Sequence, residues 1–366
     1  MRSKLSGISL LAAAGLLAAC ASQDTTATPT SPFGPLVPIT EISEISCPEG
    51  VDFVLPQRID IAFEPVDWLR DEEALPAEYF APLTPRGIFH LTSSDPRFGG
   101  LSGIDFLDED TAILVSDNGN LLWMDVSPET IAPTGTGFMT ALRGSEGQSL
   151  DGRLFRDAEG IAWTEDALFV SFERGHRVLG YDIEACGAYA RGALVIDYSR
   201  GRFGLNRTVG ENESMEALAA RGNAELIVGV ESRSFAGASA GVFSGPRAPF
   251  NLTFPAPEIT MLVGMDLVEV EDAPDRLYTL FRSYDPLRGN RIAIAVTPLK
   301  EDGSIGEMEQ LTFIDNNAAV DNFEGITAQA INETTDRIMI ISDNNFSDRQ
   351  RTLLAIFDYE HHWEED

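Results

Sequence analysis

One sequence unit occurs five times between residues 102 and 359, and this repetition limits the possible folds more than any other feature. Each unit opens with a three-residue motif whose middle residue is glycine or alanine. The motifs are Ser102-Gly103-Ile104, Glu159-Gly160-Ile161, Glu216-Ala217-Leu218, Val263-Gly264-Met265 and Glu324-Gly325-Ile326. The middle residues are 47 to 61 positions apart. This spacing is the length of a four-stranded β-propeller blade.

Apolar, β-rich segments follow each motif after a polar turn. Second strands are expected at 112–115, 168–172, 226–230, 277–281 and 338–341, and third strands at 121–124, 178–181, 292–296 and 353–359. Short strands without a clear amphipathic helix predict an all-β fold. The sequence therefore predicts a β-propeller of five blades, or of six if residues 51–63 form another.

The chain also carries a signature of ring closure. The last unit ends after three strands near Tyr359, and the apolar segment 88–91 precedes the first unit. We therefore expect this N-terminal strand to complete the last blade of a single domain covering residues 46–366.

The strand order places polar side chains at one mouth of the central channel. In an antiparallel pair, the start of the first strand and the end of the second lie at the same edge. Residues that open first strands or close second strands should therefore meet there. They are Asp117, Asn118, Glu159, Glu173, Arg174, Glu216, Glu231, Arg233, Arg282, Glu324, Asp343 and Asn344.

Such a mouth suits a hard cation, because Ca²⁺ takes six to eight oxygen ligands in flexible geometry. The expected ligands are Asp117, Glu159, Glu216, Glu324 and Asp343. The expected substrate-binding residues are Asn118, Arg174, Arg233, Arg282 and Asn344. The three arginines are included because guanidinium groups recognise phosphate oxygens. Alternatively, each glutamate caps its own blade and each arginine pairs with a ring carboxylate.

Several motifs, taken in order, give the chain a family resemblance. They are FGGLSGI (98–104), SDNG (116–119), DAEGIAW (157–163), SFER (171–174), NESMEAL (212–218), NFEGI (322–326) and SDNNFSDRQRTLL (342–354). Over residues 85–360 the chain resembles the family called esterase-like activity of phytase, or phytase-like domain. The resemblance implies calcium-assisted hydrolysis of phosphate or other esters. Ser102 and Val263 depart from the pattern, because other units carry glutamate there.

The leading hypothesis is an extracytoplasmic hydrolase of small-molecule phosphoesters or other esters. Its expected catalytic residues are Glu159, Glu173, Glu324 and His176, the histidine that follows the second strand of its unit. The alternative is a non-catalytic propeller lipoprotein that binds a ligand or an envelope partner. The string Gly237–Gly241 fits G-x-S-x-G, but we interpret it as a flexible loop without the strand–turn–helix context of a nucleophile. Ser102 is a better-placed hydroxyl.

The N-terminus predicts export and lipidation. Arg2 and Lys4 precede an apolar run, and Leu17-Ala18-Ala19-Cys20 reads as a lipobox. We expect a signal peptide at 1–19, lipid on Cys20 and a flexible linker to residue 45. Ala21 and Ser22 favour anchoring at the outer membrane of a bacterial envelope.

Charge and cysteines limit the partners. A net charge of −32 opposes binding to nucleic acid, and a monomer is expected. Outside the cytoplasm, Cys47 and Cys186 either form a disulfide or remain two buried thiols.

Overall fold

The computed structural model describes residues 36–69, 78–127, 132–198, 215–223, 225–231, 261–271 and 273–361, and the backbone alone of 238–244 and 250–254. The described helices are short: a 3₁₀ helix at Ile39–Glu41, then α1 (Ile42–Ser46), α2 (Arg153–Arg156) and α3 (Ile183–Cys186). None of them has the length and apolar composition needed to cross a membrane. Strands dominate the described chain, so the all-β prediction is confirmed.

The strands follow one another in short antiparallel runs. They are β1 (Gln57–Asp60), β2 (Ala62–Pro65), β3 (Leu83–Thr92), β4 (Leu101–Asp108), β5 (Thr111–Ser116), β6 (Asn120–Val126), β7 (Pro133–Ala141), β8 (Ala158–Trp163), β9 (Leu168–Phe172), β10 (Arg177–Tyr181), β11 (Ala193–Asp197), β12 (Ala217–Arg221), β13 (Glu225–Val230), β14 (Ala238–Ser244), β15 (Phe250–Phe254), β16 (Met261–Val268), β17 (Asp275–Asp285), β18 (Gly289–Leu299), β19 (Glu309–Ile314), β20 (Phe323–Asn332), β21 (Thr335–Ser342) and β22 (Thr352–Glu360).

These strands form five sheets. Their orders are β1-β7-β6-β5-β4 (sheet 1), β11-β10-β9-β8 (sheet 2), β12-β13-β14-β15 (sheet 3), β16-β17-β18-β19 (sheet 4) and β2-β3-β22-β21-β20 (sheet 5). The inner strands β4, β8, β12, β16 and β20 each contact the next around a closed ring. This arrangement is a β-propeller.

Glycine in the repeated motif has a packing role. A Cβ at Gly103 would stand 2.7 Å from the carbonyl oxygen of Glu159, and one at Gly264 would stand 2.6 Å from that of Glu324. A Cβ at Gly325 would likewise lie 2.9 Å from the carbonyl oxygen of Ser102. Each glycine therefore lets one inner strand approach the backbone of the next sheet, which draws the motifs together around the axis.

Sheet 5 closes the ring as the sequence predicted. Strand β3, which contains the segment 88–91, pairs antiparallel with β22 through Ile88 and Ala355. The possible sixth blade at 51–63 is wrong, because β1 and β2 instead pair with β7 and β3 as extra outer strands. An isolated hairpin would expose both faces, whereas an added edge strand buries Ile59 and Ile61 against an existing sheet.

The N-terminal segment is fastened to sheet 2. Ile42 is buried and packs where Gly180 leaves room, since a Cβ at Gly180 would stand 2.6 Å from the Ile42 Cδ1 atom. Cys47 and Cys186 form a disulfide that closes a sequence separation of 139 residues, which decides between the two cysteine alternatives. The flexible linker expected up to residue 45 is therefore too long. Residues 36–45 belong to the folded unit, whereas Cys20 lies outside the described residues.

Candidate functional site

The first-strand starts and second-strand ends meet at one mouth of the channel, here called the upper mouth. Backbone hydrogen bonds tie them together in three sheets. The N–H groups of Asp117, Glu173 and Asp343 donate to the carbonyl oxygens of Gly100 (2.8 Å), Asp157 (3.0 Å) and Asn322 (2.9 Å). Each bond fixes a second-strand end beside the start of the inner strand of the same sheet.

Three glutamates of the repeated motif form the inner part of the upper mouth. Glu159, Glu216 and Glu324 are each buried. Burial, followed by the negative charges of neighbouring carboxylates, raises the pKa of Glu159 and Glu216 well above the ordinary range. Burial also raises the pKa of Glu324, although the Arg282 guanidinium opposes that rise. Ionisation of all three glutamates at once is therefore unfavourable.

Carboxylates of the outer part are similarly perturbed. Burial, aided by Asp157, raises the pKa of Glu173 to about 7. Burial and the nearby Glu324 raise the pKa of Asp343 to about 8, and burial and Asp157 raise that of Asp117 to about 6. Several acidic groups thus exchange protons near neutral pH.

Two groups of carboxylates have the geometry to hold a cation. Within the described residues, Asp157, Glu159 and Glu173 each offer an oxygen within 4.8 Å of the others, and so do Glu173, Glu216 and Glu231. Oxygens bound to one Ca²⁺ at 2.3–2.6 Å can lie no more than about 5 Å apart, so both groups fit that ion. Glu173 belongs to both groups.

The structure divides the expected ligand set. Glu159 and Glu216 lie in the two groups around Glu173, whereas Glu324 contacts Arg282 at 3.3 Å. Asp117 and Asp343 belong to neither group. Asp157 was missed by sequence reasoning. Its position immediately before the Ala158-Glu159-Gly160 segment, matching Asn322 before Phe323-Glu324, was the available signal.

Two of the three arginines predicted at the upper mouth lie among the described residues, and both are engaged by carboxylates. Arg174 pairs with Asp157 at 2.5 Å. Arg282 contacts Glu324 and, at 3.5 Å, Glu231, and it also donates to Asn322. The inner strand of sheet 4 carries Val263 in place of glutamate. Its second strand instead supplies the positive charge of Arg282. Arg233 lies outside the described residues.

Other predicted residues have structural contacts. The Asn344 side-chain oxygen accepts N–H groups from Gly100 (3.0 Å) and Phe346 (3.1 Å), which joins two loops. Asn118 lies half-buried in the turn after β5. His176 is half-buried in the turn between β9 and β10, and its carbonyl oxygen accepts the N–H of Tyr198.

The two candidate serines differ in position. Ser102 is buried at the upper mouth, where its hydroxyl donates to the Gly100 carbonyl oxygen at 3.3 Å and opposes the rise in the pKa of Glu324. The interpretation of Gly237–Gly241 as a flexible loop is wrong, because Ser239 lies within β14 and pairs with Val230 and Thr253. Interstrand pairing on both sides explains why this small-residue run is extended.

The loop after β21 carries backbone strain at the upper mouth. Asn345 and Phe346 adopt positive φ angles of 50° and 48°. A left-handed conformation costs a non-glycine residue about 1 kcal/mol, and asparagine tolerates it better than phenylalanine. The Phe346 side chain is nevertheless only partly covered, with 41% of its surface exposed.

The channel is narrow below the upper mouth. A void of about 10 Å³ is lined by inner-strand residues of all five sheets, among them Ser102, Glu216 and Glu324 of the upper mouth and the apolar residues Ile104, Ile161, Leu218, Met265 and Ile326. A void of this volume holds about one water molecule.

The opposite end, here called the lower mouth, holds a second acidic pair. Asp105 accepts the Trp163 N–H at 2.5 Å, and Asp266 accepts the Ala328 N–H at 2.7 Å. The Thr327 hydroxyl lies 2.9 Å from Asp266 and 3.3 Å from Asp105. Burial, followed by Asp266, raises the pKa of Asp105 well above its usual range, and burial raises that of Asp266 to about 6.

Fold and site together define a β-propeller with a buried acidic channel mouth suited to a hard cation. The chain belongs to the Phytase-like family, described as esterase-like activity of phytase, whose model matches residues 96–346. The family expected from the motifs is thereby confirmed. No curated protein matches the chain.

Several solved structures are similar to the chain at low sequence identity. Glutaminyl cyclase of Myxococcus xanthus is 13% identical, with 72% of this chain and 92% of that chain covered and a TM-score of 0.38. The PQQ-bound aldose sugar dehydrogenase of Streptomyces coelicolor is also 13% identical (74% and 98% covered, TM-score 0.37). The WD40 propeller domain of Doa1 is 12% identical (76% and 97% covered, TM-score 0.35). Such distant similarity carries no inference about the site.

Proposed function

We propose that this protein is an extracytoplasmic ester hydrolase, and specifically a calcium-assisted phosphoesterase that acts at the upper mouth. The observation that supports the proposal most is the pair of carboxylate groups that share Glu173. Buried carboxylates repel one another when they ionise together. A divalent cation bound between them offsets this repulsion, so the group favours cation binding. Membership of a family described by esterase-like activity supports ester hydrolysis.

A cation would be held by Asp157, Glu159 and Glu173, or by Glu173, Glu216 and Glu231. When bound, Ca²⁺ supplies charge neutralisation and polarisation of a phosphoryl oxygen. Arg174 and Arg282 lie among these carboxylates, and their fixed guanidinium groups would orient the remaining phosphate oxygens. The ion pairs that they make now hold their planes in place.

Asp343 is the described carboxyl best suited to donate a proton to the leaving alcohol. Burial and the nearby Glu324 raise its pKa to about 8 in the cation-free protein, which favours the protonated form, and the N–H of Asn345 donates to one of its oxygens at 2.6 Å. It follows the second strand of sheet 5, in charge interaction with Glu324 and Asp117, whereas Glu173 follows the second strand of sheet 2. The alcohol would be released beside Asp343 with its proton, and the proton given up by the attacking water would restore the acid form of Asp343.

Turnover by purified protein tests this function. We expect hydrolysis of phosphate monoesters or diesters in Ca²⁺, and loss of that activity in chelator that returns when Ca²⁺ is restored. Carboxylic esters provide the comparison for ester class. Calcium binding by calorimetry without turnover of any ester would instead support a non-catalytic binding propeller, and absence of both would reject the cation site.

We also propose that the protein is lipid-anchored at Cys20 to the cell envelope, on the basis of the lipobox Leu17-Ala18-Ala19-Cys20. Cys20→Ala is expected to move the exported protein from the membrane fraction to the soluble fraction. Fractionation of cells that express each form measures the change. A variant that stays in the membrane fraction contradicts lipidation.

A further inference from the structure

Phe346 is an exposed aromatic side chain held in an unfavourable backbone conformation. Its φ is +48°, and 41% of its surface is exposed. Burial of an aromatic ring commonly compensates for local strain, but this ring keeps much of its area in solvent. Folding alone therefore gives a weak reason for phenylalanine at this position.

Neighbouring residues are arranged to keep the ring at the upper mouth. The Asn344 side-chain oxygen accepts N–H groups from both Gly100 and Phe346. A Cβ at Gly99 would stand 3.2 Å from the Phe346 Cε1 atom, so a residue other than glycine would crowd the ring. Gly99 and Gly100 both have positive φ angles, which places backbone without side chains under the ring.

The ring edge borders the carboxylates of the site. A Cβ at Gly100 would collide with both the Phe346 Cε2 atom and the Asp117 Oδ1 atom, so these two atoms flank the same spot. That Asp117 oxygen is buried and has no hydrogen-bond partner among the residues that the structure describes. Asp343 lies three residues before Phe346 in the same loop. A group that covers the ring would therefore lie on the side where the alcohol is proposed to leave.

We propose that Phe346 is a specificity-determining residue that binds the alcohol part of the ester and favours alcohols that carry a flat apolar ring. This inference rests on the proposed phosphoesterase function. The ring of the substrate would pack against the exposed part of Phe346 while its phosphate lies among Arg174, Arg282 and the cation ligands. Aromatic contact of this kind is worth roughly a factor of ten in affinity.

Two non-hydrolysable probes measure this preference directly. Calorimetry in Ca²⁺ buffer should show wild-type protein binding benzylphosphonate about tenfold more tightly than ethylphosphonate. In Phe346→Ala the ratio of the two affinities should fall to about one, whereas Phe346→Tyr should keep the wild-type ratio. Phe346→Gly separates the ring from the loop conformation, because glycine adopts positive φ freely. It should lose the ratio as alanine does, with a melting temperature at or above that of Phe346→Ala.

The outcomes distinguish this inference from the function on which it rests. Equal affinity of wild-type protein for both probes would overturn the aromatic subsite and leave the phosphoesterase proposal standing. A preference that survives in Phe346→Ala would overturn it as well. Binding of neither probe would reject the phosphate site and the subsite together. A preference lost in Phe346→Ala, in a protein that hydrolyses no ester, would support the subsite in a binding protein.

Discussion

Replacement of Glu173 by glutamine is expected to lower kcat/KM for phosphate esters by a factor on the order of 10² to 10³, the largest effect of any single substitution at the site. Glu173 belongs to both carboxylate groups that can hold a cation. Glutamine keeps the side-chain shape but removes the charge. One substitution therefore weakens both groups at once.

Calcium binding should fall together with activity. Calorimetry on Glu173→Gln should show much smaller heats than wild type, and high Ca²⁺ should restore part of the turnover if the variant still folds. Removal of a buried and repelled charge should also raise the stability of the calcium-free protein at pH 8, because the pKa of Glu173 is raised to about 7 in the folded state.

Glu165→Gln is the matched control. Glu165 lies exposed in the turn between β8 and β9, at the lower-mouth edge of the sheet whose upper edge carries Glu159 and Glu173. The control makes the same chemical change in the same sheet, and we expect calcium binding and kcat/KM like those of wild type. Equal losses of calcium binding and kcat/KM in both variants would mean that the change in net charge, and not the two groups that share Glu173, causes the losses.

Sequence periodicity was sufficient to predict the upper mouth because strand pairing converts positions into edges. Glu159, Glu216 and Glu324 open equivalent inner strands, and Asp117, Glu173 and Asp343 close equivalent second strands. An antiparallel pair brings those two positions to one edge whatever the details of side-chain packing. Fold class and ring closure follow from the same regularity.

The sequence pattern does not predict the distances between side chains of different sheets. The sharing of Glu173 by two carboxylate groups depends on how sheets 2 and 3 approach each other, and the role proposed for Phe346 depends on a loop that breaks the repeat. Strands β1 and β2 were misassigned to a possible sixth blade because their sequence does not indicate that they pair with the outer strands β7 and β3. The pair Asp105 and Asp266 did leave a mark, two residues after the motif glycine in two units.

Stability of the calcium-free protein is expected to fall as pH rises from about 5 to 8. Asp343 has a pKa of about 8, Glu173 of about 7 and Asp117 of about 6 in the folded protein, against ordinary values near 4. Between those values the folded state binds more protons than the unfolded state, so the free energy of unfolding decreases with pH. A loss on the order of 5 kcal/mol is expected across this range. Urea unfolding at each pH in chelator measures it.

Calcium should reverse this loss selectively at high pH. Protons and Ca²⁺ compete for the same carboxylates, so stabilisation by a fixed Ca²⁺ concentration should be small at pH 5 and large at pH 8. The lower mouth supplies the control, because its carboxylates Asp105 and Asp266 belong to neither group that can hold a cation. In Asp266→Asn, the amide oxygen can still accept the Ala328 N–H, while the charge that repels Asp105 is removed. The free energy of unfolding of this variant should depend less steeply on pH with and without Ca²⁺, and its stabilisation by Ca²⁺ at pH 8 should equal that of wild type.

Competition between protons and Ca²⁺ at the upper mouth requires the stabilisation by Ca²⁺ to differ between pH 5 and pH 8. Stabilisation of equal size at both pH values would show that calcium binds outside the buried carboxylates.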